Sequence, residues 1–88
     1  MNILCVYNII EDNKKVTTDT CYYAIEDTDE PIKYIREHVQ DYIVDIIDRV
    51  DIKSNDFIAI VNFIISSNET LNVTHINGEK DVHMLHSE

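Results

Sequence analysis

Between Ile32 and Val50 the apolar positions Ile32, Ile35, Val39, Tyr42, Ile43, Ile46 and Val50 recur mostly three or four residues apart. A helix turns once in about 3.6 residues, so this spacing gathers them on one face. Asp41, Asp45, Asp48 and Asp51 keep the same rhythm, at steps of 4, 3 and 3, and fall together on another face. The pattern predicts one long amphipathic helix over about 29–51, burying Ile35, Val39, Ile43 and Ile46. "DTDEP" marks its start: Thr28 or Asp29 can cap open amides, acids suit the positive helix end, and Pro31 fits the first turn. "KSND" turns polar after Asp51 and marks its end.

The flanking segments follow a different rule. Residues 2–10 and 16–25 are rich in Ile, Val, Tyr and Thr and are divided by "EDNKK", which predicts a β-hairpin with a loop of two to five residues. Two registers stay open. A loop centred on Asn13 sets Cys5 opposite Cys21. A centre half a residue later puts Leu4, Val6 and Ile10 on one face with Cys21, Tyr23 and Ile25. "FIAIVNFII" (57–65) is apolar throughout except at Asn62, as expected of a central strand covered on both faces. Asn62 then requires a buried hydrogen-bond partner or must face an opening. In "HINGEK" the Asn77–Gly78 pair predicts a two-residue hairpin turn. That turn pairs Val73 with Val82 and Leu71 with Met84, leaving Thr74, Asp81 and His83 on the opposite face.

The order is β-β-α-β-β-β. It predicts an α+β fold, an antiparallel sheet of four or five strands with one helix packed on a face. The 88 residues make a single domain, 1–88, with one modest core. No repeat, linker or low-complexity segment divides it.

Charge narrows the function. The chain carries 17 acids against 7 bases, a net charge of −10. Residues 26–56 hold ten of the acids and four of the bases, so the helix and its flanks carry most of the field. Nucleic acids and anionic membranes require a basic footprint, so direct binding to either is not expected. A basic protein partner is, although a charged helix face often does no more than keep a domain in solution. Arg49 lies four positions after Asp45, and Lys33 four before Glu37; such pairs blunt the acidic stripe without cancelling it. No apolar run approaches the roughly 18 residues of a spanning helix. "MNILCVYNIIED" lacks a basic segment and a small-residue cleavage site, so the expected location is the cytoplasm, with no signal peptide.

Candidate chemistry is thin. His83 and His86 sit three apart, which on a strand points them to opposite faces. Asp81 and His83 share a face, but two ligands do not make a metal site, so no metal and no other cofactor is expected. Cys5 and Cys21 read as buried, reduced thiols. The sequons "NET" and "NVT" matter only in a secreted chain. The one glycine belongs to the Asn–Gly turn, so there is no phosphate-binding loop. An acid–base pair needs a pocket, whereas these aspartates lie along an open helix face. No enzyme is expected.

What remains is a surface. Carboxylates at i, i+4 and i+7 stand roughly 6 to 10 Å apart along a helix, a spacing comparable with that of backbone phosphates. Such a stripe can occupy a Lys/Arg groove built for a nucleic acid. The expected partner-binding residues are Glu37, Asp41, Asp45 and Asp48, with Tyr34 as an anchor at the rim. Tyr7, Tyr22, Tyr23 and Tyr42 are further candidates, Tyr42 being the one best explained by burial in the core.

With its small size, its Ile/Asn/Asp/Lys-rich usage and the acidic helix "DTDEPIKYIREHVQDYIVDIID", the chain resembles small acidic proteins of phages and mobile elements that disarm host defence. Anti-CRISPR proteins and DNA-mimicking antirestriction proteins belong to that class. The resemblance implies a non-enzymatic inhibitor that blocks the nucleic-acid channel of a CRISPR effector or other nuclease, or locks its conformation, in the cytoplasm of a host cell. An immunity protein or antitoxin would also be small and acidic and would plug one toxic nuclease. A structural or assembly component of a virion would self-associate through exposed sheet edges, so a homodimer stays open.

Overall fold

The computed structural model describes residues 1–77 and 83–87, with only the backbone described for Lys15 and for 83–87. The elements are β1 (Asn2–Glu11), β2 (Lys15–Ala24), α1 (Pro31–Val50), β3 (Phe57–Ser66), β4 (Glu69–Ile76) and β5 (His83–Ser87). They form one antiparallel sheet in the order β2-β1-β3-β4-β5, and α1 crosses one face of it. This is the α+β arrangement expected from the pattern of elements.

The first hairpin adopts the register centred on Asn13: Cys5 pairs with Cys21 and Glu11 with Lys15. Asp12 and Asn13 have φ of 53° and 59°, and the Lys14 amide donates to the Glu11 carbonyl at 3.0 Å. Asp and Asn are the residues other than glycine that best tolerate the left-handed region, which is why the chain reverses there without a glycine.

Helix α1 begins at Pro31, two residues later than the pattern predicts. The Thr28 hydroxyl accepts from the Glu30 amide at 3.1 Å, so it tightens the turn before the helix, and no side chain caps the helix itself. Pro31 lies in the first turn, where a missing N–H costs nothing. The helix ends in Asp51, at φ 56° and ψ 57°, whose amide bonds back to the carbonyls of Ile47 and Asp48. Its buried residues are Pro31, Ile35, Val39, Ile43 and Ile46. Burying one such Ile or Val contributes about 1.5–3 kcal/mol in transfer terms.

They pack on Ile3, Cys5, Tyr7 and Ile9 of β1, Ala59, Val61 and Phe63 of β3, and Leu71 and Val73 of β4. All of these are odd-numbered, as the two-residue period of a strand requires. The even-numbered face of β3 carries Ile58, Ile60, Asn62 and Ile64, each only half-buried. Among the described residues the two-sided cover expected for "FIAIVNFII" is therefore not found: they form one long helix, and it shields one face. Asn62 faces the open side.

The last hairpin also departs from expectation. Val73 pairs with Met84 and Leu71 with His86, a shift of two residues from the pairing an Asn77–Gly78 turn imposes. The cause lies on the other side of β4. The Asn77 amide donates to the Phe57 carbonyl at 3.0 Å, and its side-chain amide donates to the Asn55 carbonyl. Asn77 thus extends the ladder with β3 and is not free to open a two-residue turn. Because the shift is even, Leu71 and Val73 keep their faces and stay buried. Gly78, Asp81 and Val82, and the side chains of His83, Met84 and His86, lie outside the described residues. Among the described residues no helix is long and apolar enough to cross a membrane.

Candidate functional site

The acidic stripe is built by α1 alone. With Ile35, Val39, Ile43 and Ile46 turned to the sheet, helical periodicity turns Glu37, Asp41 and Asp48 outward, and all three are exposed. None of their carboxylates has an ion-pair partner among the described residues. Val44 sits between them on the same side, 50% exposed. Glu37 and Asp41 are one turn apart, about 6 Å, and Asp48 follows about 10 Å further along.

Asp45 behaves differently. It lies on the flank facing β2, where its Oδ2 accepts from the Tyr23 hydroxyl at 2.6 Å and from Arg49 Nε at 2.8 Å. The Tyr23 bond first, and Arg49 second, hold this carboxyl below its ordinary value. Burial, followed by the bond to Asp45, pushes the Tyr23 hydroxyl well above its own. The Arg49 guanidinium stands 6.0 Å from the Tyr23 ring centroid, within reach of a cation–π attraction. Tyr23 packs on Tyr42 at 4.5 Å and Tyr42 on Phe63 at 5.7 Å. Asp45 is thus the polar end of an aromatic chain that ties edge strand β2 to the helix. Tyr23 belongs to this tie and is no free rim anchor, and Tyr42 is partly buried as expected.

At the start of the helix, Tyr34 stacks on His38 with centroids 4.3 Å apart, and His38 Nδ1 lies 2.8 Å from the Tyr34 carbonyl oxygen. Tyr34 and Glu37, with Thr28, Glu30 and Lys33, line an open depression of about 190 Å³. The loop residues Thr28 and Glu30 reach this place because Pro31 fixes the direction in which the chain enters the helix. Two carboxylates and a phenol against one ammonium make the hollow suited to a Lys or Arg side chain. The pairing expected between Lys33 and Glu37 is not among the ion pairs of the described residues. The structure therefore joins Tyr34 with Glu37, sets Asp41 and Asp48 along the same outer side, and diverts Asp45 to a neighbouring flank.

Elsewhere the chemistry is quiet. Cys5 and Cys21 are free thiols, both buried. Burial, with Cys21 adding to it, raises Cys5 far above its ordinary value, which keeps it protonated and a poor nucleophile at neutral pH. His75 is buried on β4 against the Phe57 ring, and its Nδ1 has no hydrogen-bond partner among the described residues. Among the described residues no three His, Cys, Asp or Glu side chains are placed to share a metal ion. Comparison with protein families, curated proteins and solved structures found no match for this chain.

Proposed function

We propose that the chain is a non-enzymatic inhibitor that lays the outer side of α1 into the basic nucleic-acid-binding surface of a nuclease or other defence effector. The observation that supports this is the segregation of charge. Glu37, Asp41 and Asp48 are exposed on one side of the helix and have no ion-pair partner among the described residues, while the opposite, outward face of the sheet carries no charged residue on β1 to β4. A field organised on one side steers a basic partner to that side and sets the register of docking. The depression at Tyr34 and Glu37 then receives a basic side chain of the partner, while Asp41 and Asp48 replace phosphates further along the groove. Asp45 contributes to the field, with part of its charge answered locally by Arg49. An immunity protein or antitoxin would use the same surface against a toxic nuclease and differs only in its target.

The test is a capture from host lysate on immobilised protein, eluted by either salt or duplex DNA. Proteins held through the stripe leave in DNA and as salt rises from about 50 to 200 mM, since exposed charges are screened over roughly 10 Å at 0.1 M. They are not captured by the Glu37→Gln/Asp41→Asn/Asp48→Asn variant, which folds as well as wild type or slightly better. A partner indifferent to DNA, to salt and to the triple change would refute the mimicry.

A further inference from the structure

We infer that the open face of the sheet is an interface for a second copy of the same chain, and that the protein is a two-fold dimer of back-to-back sheets. The face contains an apolar band at each end. Tyr22, Leu4 and Ile64 pair side by side at one end, and Val16, Ile10, Ile58 and Ile76 at the other. Between them run Val6 and Ile60 with Asn8, Asn62 and Asn72, the last two directly opposite each other. In a chain of net charge −10, none of the outward positions on these four strands is charged. A basic partner would find nothing to pair with here.

Size, symmetry and charge favour a second copy. Four strands of eight to ten residues at about 3.3 Å per residue and 4.8 Å per strand give roughly 500 Å² in plan. Two facing copies thus bury at least about 1,000 Å² in total, which meets the threshold for a specific interface. A two-fold axis lying in the interface sends each apolar band onto an apolar band, whether it runs along the strands or across them. Either way the two central rows, which mix Val6 and Ile60 with Asn8, Asn62, Asn72 and three threonines, meet one another in the middle of the interface. The acidic helices end up on the outside. They lie roughly 30 Å apart, counting a sheet spacing of about 10 Å and a helix layer on each side, and several screening lengths of about 8 Å separate their charges. The helix side stays free, so this dimer stands or falls independently of the inhibitor proposed above.

The mass of the purified protein decides it. Sedimentation equilibrium between about 1 and 100 µM should give twice the 10.3 kDa chain, with dimerisation equal or tighter at about 500 mM than at about 50 mM salt, because burial of apolar surface drives it. Ile60→Lys puts a charge at the centre of the face and should leave a folded 10.3 kDa monomer. Thr20→Lys, at an exposed site on β2 where the monomer leaves a lysine solvated, should weaken dimerisation at least tenfold and covers the case in which Ile60→Lys fails to fold. A wild type that is monomeric throughout the range overturns the proposal. So does a dimer unchanged by Thr20→Lys, which would place the contact at a sheet edge, and so does a monomer that instead binds an unlike protein through this face.

Discussion

Removing a single oxygen, in Tyr23→Phe, tests the tie between the edge strand and the helix. The hydroxyl reaches Asp45 Oδ2 at 2.6 Å across 22 positions of sequence, while the ring keeps its packing on Tyr42 in the variant. A hydrogen bond to a charged acceptor contributes about 1.5–3 kcal/mol where water is excluded. The Asp45 side chain is 43% exposed, so solvent screening brings the expected loss to about 1 kcal/mol. For a domain of this size, that is a fall in Tm of about 4–8 °C. The pH dependence gives an independent check. Tyr23 and Arg49 hold the Asp45 carboxyl below its ordinary 3.8, and a carboxyl lowered on folding stabilises above its unfolded value and ceases to do so as pH falls through its folded one. The gap between wild type and Tyr23→Phe should therefore be full from pH 7 down to about 4 and close below that. Urea unfolding at several pH values measures the gap. Carbon NMR of the Asp45 carboxyl should show its midpoint moving part of the way up towards 3.8 in the variant, with Arg49 still in place. Equal stability at pH 7, or an Asp45 midpoint that does not move, would refute this account of the tie.

Other substitutions probe other parts of the fold. Ile43 is fully buried, and a carboxylate there would cost several kcal/mol out of a total of about 4–13 for a chain of this length; Ile43→Asp should abolish cooperative unfolding, and a variant melting like wild type would mean the buried face of α1 is misplaced. Asp51→Gly removes a left-handed φ of 56° and an acid at the negative end of the helix, so it should raise stability by about 1 kcal/mol in thermal unfolding. The double change Cys5→Ala/Cys21→Ala should cost about 1–2 kcal/mol in packing and leave partner capture intact, and in wild type a disulfide reagent should label Cys5 only as fast as the protein opens. His75→Leu fills the same space without an unpartnered Nδ1, so urea unfolding should find it equal to or more stable than wild type; a loss of more than 1–2 kcal/mol would point to a polar role for the ring.

The helix was the most legible element, because a 3.6-residue period names a face as well as a structure: Ile35, Val39, Ile43 and Ile46 follow from spacing alone, and all four are buried. The strands gave less. In β1 both Ile9 and Ile10 are apolar, so alternation could not choose between two hairpin registers; the φ of Asp12 and Asn13 decides it, through a turn that has no glycine to mark it. In β3 every residue but Asn62 is apolar in "FIAIVNFII", and such a run cannot say which face the rest of the chain will cover. The Asn–Gly signal was overridden by a contact with β3 made through the Asn77 amide. That Glu37, Asp41 and Asp48 share the exposed side of α1 was legible because helix geometry is local. The fate of Asp45 was half legible. Its pairing with Arg49 is a four-residue helical contact, whereas Tyr23 comes from a strand 22 positions away and could be assigned only once β2 was placed beside α1.

The two proposed interactions, of the acidic helix and of the uncharged sheet face, should respond in opposite ways to salt, which would make them separable in one molecule. Contacts made by Glu37, Asp41 and Asp48 weaken as ions screen them, while contacts made by Leu4, Ile60 and Ile64 hold or strengthen. Raising salt should therefore strip a basic, nucleic-acid-binding partner from the helix without dissociating the proposed dimer. The geometry also limits what dimerisation can add. Helices on opposite outer sides, about 30 Å apart, cannot lie in one groove, so a dimer gains no avidity for a single target site. What the proposed dimer would gain is reach: two target molecules, each held by one helix. Titration of a captured partner should end at one target per chain in wild type and in Thr20→Lys alike, with the complex of wild type about twice the mass. A wild-type complex saturating at one target per two chains would mean that the second helix is blocked, and that the acidic faces do not both point outward.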